Sequence, residues 1–132
     1  MRKLVCFLLV LLCCVSMAGC GQVSVSADAS AQVIYDCNGI SFTEALTEQE
    51  VDAVVEILDG KSKTNCWSST PSCGFDENVA IEIGGTRYAL ACDKCPTLKI
   101  CGTLVTYIEL SESERDVLEA IFTARGGKFP CI

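Results

Sequence analysis

Cysteine carries most of the chemistry available to this chain, and its tightest pairing away from the N-terminus is Cys92-Asp93-Lys94-Cys95. A C-x-x-C pair can cycle between dithiol and disulfide when its thiolate is stabilised, which thioredoxin-like proteins achieve by opening a helix with the motif. Here the motif follows a predicted strand and precedes Pro96 and another strand, so the helix dipole is missing and Lys94 is the nearest compensating charge. Zinc is a second use of the same sulfurs, with Cys92, Cys95 and Cys101 joined by Cys66 or Cys73. Zinc ribbons are built from two tight C-x-x-C knuckles, and Cys66 and Cys73 lie too far apart to form one. The chain has no histidine, which removes Ser/His/Asp hydrolysis, Cys/His proteolysis and imidazole metal ligation together. The acids Glu48, Glu50, Asp52 and Glu56, and likewise Glu112, Glu114 and Asp116, read as solvated helix faces, and the glycines at 84, 85, 126 and 127 as turn and cap residues, not a phosphate loop. No catalytic residues are assigned, and no metal or cofactor is called for. Cys92 and Cys95 stand as the alternative redox pair.

The compartment decides what the cysteines do. Arg2 and Lys3 precede an apolar stretch over 4–15, followed by the small residues Ser16, Ala18 and Gly19, which is the layout of an export signal. The stretch falls well short of the roughly 20 residues a spanning helix needs. Met17-Ala18-Gly19-Cys20 resembles the bacterial lipobox, with Met17 where leucine is usual, and this predicts a signal peptide over 1–19 and acylation of Cys20. The rival is ordinary cleavage after Ala27, which leaves an unusually long gap behind the apolar run. Several acyl chains, palmitate among them, give stable attachment where a single chain does not. The expected location is the extracytoplasmic face of the cell membrane. Cys6, Cys13 and Cys14 leave with the signal, so Cys37, Cys66, Cys73, Cys92, Cys95, Cys101 and Cys131 remain as disulfide candidates. Their number is odd, so at least one thiol is left free or pairs between molecules, and the connectivity stays open. The net charge of −7 becomes −9 once Arg2 and Lys3 are gone. Such an acidic surface disfavours nucleic acid and anionic headgroups, leaving the lipid to hold the membrane.

The elements that must position these residues are legible in part. Residues 20–32 are small and polar and are expected to form a flexible, lipid-anchored tether, ahead of a single cysteine-rich domain over 33–132. Thr47 with Glu50 and Ser111 with Glu114 form capping boxes. They open helices whose apolar stripes are Val51, Val54, Val55 and Leu58, and Val117, Leu118, Ile121 and Phe122. The similarity between the segments 46–52 and 110–116 is read as convergence imposed by two capping boxes, the alternative being a duplicated strand and helix unit. Gly84-Gly85 predicts a two-residue hairpin turn that sets Ile83 opposite Thr86, Ile81 opposite Tyr88 and Glu82 opposite Arg87. A second hairpin through Gly102 places Leu98, Ile100, Val105 and Tyr107 on one face, and a third turns at Asn38-Gly39. The expected fold is α+β: a small antiparallel β-sheet of hairpins packed with two amphipathic helices and stapled by disulfides. Trp67, between Cys66 and Cys73, is a candidate recognition residue if those cysteines close a rigid loop; the plainer reading folds it onto the core.

With these elements in place, Cys73-Gly74-Phe75, Ala91-Cys92-Asp93-Lys94-Cys95, Tyr107-Ile108 and Phe129-Pro130-Cys131-Ile132 together resemble uncharacterised small exported proteins and lipoproteins of anaerobic Gram-positive bacteria. The resemblance implies that Cys95 and Cys131 are framework cysteines and brings no activity with it. The reading is therefore a lipid-anchored extracytoplasmic lipoprotein, a non-enzymatic module for an unknown protein or cell-surface ligand. The alternative is a thiol-disulfide oxidoreductase or redox-sensing lipoprotein using Cys92 and Cys95.

Overall fold

The computed structural model describes residues 21–65, 74–102 and 106–131. In chain order its elements are β1 (Ala31–Cys37), β2 (Ile40–Ala45), α1 (Glu48–Leu58), β3 (Thr64–Asn65), β4 (Val79–Ile83), β5 (Thr86–Leu90), β6 (Thr97–Ile100), β7 (Thr106–Glu109) and α2 (Glu112–Thr123). Six strands form one antiparallel sheet in the order β2-β1-β4-β5-β6-β7, extended at the far edge by the two-residue β3. The fold is α+β, with two helices on an antiparallel sheet.

Local chemistry accounts for most of this. Gly84 and Gly85 both adopt positive φ, 59° and 80°, as a two-residue turn matched to strand twist requires, and Ile83 pairs Thr86, Ile81 pairs Tyr88 and Glu82 pairs Arg87 as expected. The Glu82 carboxylate accepts from Arg87 Nε at 2.9 Å and from Gln32 Nε2 at 3.0 Å, a polar row on the outer face. Asn38 and Gly39 form the equivalent turn between β1 and β2. Antiparallel pairing puts Val33, Tyr35, Ile81, Ile83, Tyr88, Leu90, Leu98 and Ile108 on one face of the sheet. Val54, Ile57 and Leu58 of α1 and Leu118, Ile121 and Phe122 of α2 join them in one core.

The second hairpin departs from expectation by one residue. Leu98 pairs Ile108 and Lys99 pairs Tyr107, so Tyr107 lies on the face opposite Leu98 and Ile100, where its ring meets Phe75 at 5.5 Å between centroids. A two-residue connection through Gly102 would have paired Leu98 with Tyr107; a slip of one residue exchanges every side chain of a strand between faces. Val105 lies outside the described residues. The stripe of α2 also shifts. Val117 is 44% exposed, and Arg115, three residues before Leu118 and seven before Phe122, takes the inward place.

The segment expected to be a tether is packed instead. Val23 is 3% exposed, its N–H donates to the Lys61 carbonyl at 2.8 Å and its carbonyl accepts from Gly60 N–H at 2.9 Å. Val25, Ala29 and Ala31 also pack on the core, and β1 begins at Ala31, so the folded unit starts before position 33. The valines alternate with serine over 23–26, a short strand-like pattern inside a polar stretch, and the chain after α1 offers the backbone partners.

Both capping boxes are formed, with Thr47 and Ser111 each accepting from the N–H three residues on. Each is worth about 1 kcal/mol. Their glutamates also tie elements together: Glu50 to Arg125 at 2.8 Å and Glu114 to Lys61 at 2.8 Å. The Arg125 guanidinium beside Glu50, and the Lys61 ammonium beside Glu114, hold both carboxyls below the ordinary glutamate value of 4.5. A carboxyl with a lowered folded pKa contributes stability that is present above its unfolded pKa and lost as pH falls through the folded one. Stability is therefore expected to decline on acidification below about pH 4.5, and Glu50→Gln with Glu114→Gln to flatten that decline, in urea midpoints measured against pH. An unchanged pH profile in the double variant would count against both pairs.

Among the described residues no helix is long and apolar enough to cross a membrane.

Candidate functional site

The C-x-x-C segment links β5 to β6 through a turn, and backbone bonds fasten it on both sides. Cys92 N–H donates to the Gly74 carbonyl at 2.8 Å, and the Cys92 carbonyl accepts from Cys131 N–H at 2.8 Å. Asp93 works as a turn residue: one carboxylate oxygen accepts from Cys95 N–H and the other from Gly74 N–H, both at 3.3 Å. Lys94 occupies the left-handed region at φ 69° and approaches Glu119 at 3.8 Å.

Beneath the turn lies Arg115, 2% exposed. Its Nη2 donates to the Ala91 carbonyl at 3.0 Å, its Nε to the Cys95 carbonyl at 3.2 Å and its Nη1 to Glu119, one helical turn on. The Phe129 ring lies 5.2 Å from the guanidinium carbon and contributes its π face. One guanidinium thus spans the turn, α2 and the returning C-terminus. A buried charge survives only when paired and hydrogen-bonded, and here both conditions hold.

The C-terminal segment is held by several groups at once. Cys131 is disulfide-bonded to Cys37 at the end of β1, with Cα atoms 6.2 Å apart. Tyr35 donates its hydroxyl hydrogen to the Lys128 carbonyl at 2.8 Å and accepts from Lys128 N–H at 3.0 Å. Its ring stacks on Phe42 and meets Phe122 and Phe129 at centroid separations of 6.2 and 6.1 Å. Gly127 fits because a Cβ there would meet the Phe122 carbonyl oxygen at 2.9 Å.

The seven candidate sulfurs are treated differently. Cys37 and Cys131 are bonded to each other, and Cys95 is also disulfide-bonded, whereas Cys92 and Cys101 are free thiols. The two cysteines of the C-x-x-C motif are therefore not joined, and Cys92 and Cys101 are corrected from disulfide candidates to thiols. The reason is positional: Cys92 lies in the turn two residues past the end of β5, 7% exposed and packed in the core. Burial pushes its thiol up; an Asp76 N–H opposes this, while the charges of Asp76 and Asp93 add to it and Arg115 offsets them in part. Cys101 is also pushed up, first by burial and then by Glu77. Among the described residues no three metal-type side chains cluster. Cys20, Cys66, Trp67 and Cys73 lie outside the described residues.

What this arrangement does chemically follows from the protonation state. A buried thiol with a raised pKa is a poor nucleophile, and the Cys92 side chain packs as a small member of the core. Alkylation of the native protein followed by peptide mapping is expected to modify Cys101, which is half-buried, many-fold faster than Cys92. Equal rates would mean that the turn opens.

Sequence reading passed over Arg115, Glu119 and Arg125. The available signal for Arg115 was its place on the apolar stripe of α2, where a charged residue needs a buried partner. Comparison of the chain with protein-family models, with curated proteins and with solved structures returned no match.

Proposed function

We propose that this chain is a lipoprotein anchored through Cys20 to the extracytoplasmic face of the cell membrane, and that its folded domain is a non-enzymatic binding module for a protein or other cell-surface ligand. The observation that carries the anchor is the order of the N-terminus: two basic residues, an apolar run, then Met17-Ala18-Gly19-Cys20. The Cys37–Cys131 disulfide supports an oxidising compartment, since such bonds persist outside the cytosol. Binding is preferred to catalysis because the one nucleophile-bearing motif keeps Cys92 buried and its protonated form favoured.

Palmitate labelling of bacterial cells producing the chain is expected to mark it, and Cys20→Ser to abolish the label. Persistence of the label in that variant would remove the anchor. The redox alternative makes a separate demand: insulin-reducing activity in the wild-type protein that disappears in Cys92→Ser with Cys95→Ser. That result would reverse the preference for binding.

A further inference from the structure

The anchor and the packed N-terminal segment have a joint consequence for how the domain sits on the membrane. Residues 21–25 run antiparallel to the chain that follows α1. The Gly21 carbonyl accepts from Lys63 N–H at 2.6 Å, Gln22 bridges Ser62, Val23 exchanges backbone bonds with Gly60 and Lys61, and Val25 N–H donates to the Asp59 carboxylate at 3.3 Å. Val23 is buried beneath this ladder. Cys20 is joined to Gly21 by one peptide bond, so consecutive Cα atoms are about 3.8 Å apart. A free segment over 21–32 could have let the domain drift up to roughly 40 Å from the acylated residue; the ladder removes that slack.

We propose that the domain is mounted directly on the outer leaflet, with the connection at 60–63 facing the lipid headgroups and the rest of the domain held in one orientation. The proposal rests on acylation of Cys20. Its charge pattern fits a bilayer surface. The mature chain is strongly acidic, yet Lys63 is exposed beside Gly21, and Lys61 lies next to it with its ammonium on Glu114 at 2.8 Å. Asp59 and Glu114 are the acids paired into this region, and Asp59 receives the Val25 N–H. The connection beside the anchor thus presents the exposed Lys63, a charge that anionic headgroups attract, while the Lys61 ammonium is paired with Glu114. A mount of this kind presents the same surface to every partner, which a loose tether does not.

The test uses the full chain, processed in a bacterial host and reconstituted in nanodiscs of phosphatidylcholine with a minority of phosphatidylglycerol, doped with a gadolinium-chelating lipid. Amide relaxation is read by NMR. The comparison variant carries a Gly/Ser insert between Cys20 and Gly21, as long as the segment 21–32. In the wild type the amides at 60–63 are expected to relax several-fold faster than the mean over the remaining described residues, and the insert to erase that contrast. The mass of the N-terminal peptide separates two failures. A diacylglyceryl-Cys20 peptide with uniform enhancement, or enhancement centred on another face, overturns the mount and leaves the anchor standing. An unmodified N-terminal peptide overturns the anchor, and the mount falls with it.

Discussion

Arg115→Met is expected to destabilise the domain by about 3–5 kcal/mol, the cost of breaking a buried, hydrogen-bonded charge from one side. The substitution keeps an apolar stem on α2 and removes the guanidinium, stranding the carbonyl of Ala91 and leaving the Glu119 carboxylate with only Lys94 at 3.8 Å. The Cys95 carbonyl keeps one donor, the Thr97 N–H. Urea denaturation followed by circular dichroism is the measurement. In a domain of this size each kcal/mol moves the thermal midpoint by about 4–8 °C, so the loss is easily resolved. Arg115→Met combined with Glu119→Leu is expected to recover part of it, because the charge that then loses its partner, Lys94, is 53% exposed and solvated rather than buried. A single variant as stable as the wild type would mean that the guanidinium does not hold the 92–95 turn. Arg115→Lys is expected to fall between the two, since an ammonium cannot reproduce a planar fork that reaches Ala91, Cys95 and Glu119 together.

The second large effect is covalent. Cys37 and Cys131 are 94 positions apart, and closing so long a loop in the unfolded chain is worth about 4–5 kcal/mol in the chain-entropy model. Cys37→Ala with Cys131→Ala is therefore expected to lower stability by about that much, within the range of about 2–5 kcal/mol typical of removing a native disulfide from a small domain. The native state should change little, because the same segment is held by the Tyr35 hydroxyl at Lys128, by Phe129 among Tyr35 and Phe122, and by the bond from Cys131 N–H to Cys92. Equilibrium unfolding gives the loss, and hydrogen exchange at Lys128 and Cys131 shows whether the C-terminal segment stays docked before global unfolding. A loss below 1 kcal/mol would show that the unfolded chain gains little freedom when the bond is cut. Total stabilities of domains this size are about 5–15 kcal/mol, so either change alone consumes much of the margin.

Short-range features were readable because their physics is local. Both capping boxes formed where Thr47/Glu50 and Ser111/Glu114 predicted them, and Gly84-Gly85 set the register of β4 and β5 without help from the rest of the chain. Failures came where a local pattern had two solutions. The turn after β6 could join its strands in either parity, and Tyr107 moved to the outer face when the other parity was taken. Residues 21–32 looked like a tether because two valines are too few for a core of their own; they suffice when the chain after α1 supplies backbone partners.

The candidate site divides along the same line. Cys20 takes its proposed role from the residues just before it, and that reading owes nothing to tertiary contacts. The motif at Cys92 and Cys95 was visible by spacing, but spacing could not say that one sulfur would be a buried thiol and the other disulfide-bonded. Arg115 could not be assigned either, since its partners Ala91, Cys95 and Phe129 come from distant parts of the chain. The sequence by itself determined the helices, the two-residue turns at Asn38-Gly39 and Gly84-Gly85 and the acidic charge, because each is set by residue type and by neighbours within a few residues. Only the tertiary structure decided the strand order, the partner of Cys131, the fate of the Cys92 thiol and the docking of residues 21–25. Those outcomes rest on burial and on contacts between segments far apart in the chain, whose free energies exist only once the sheet and helices have closed on one another.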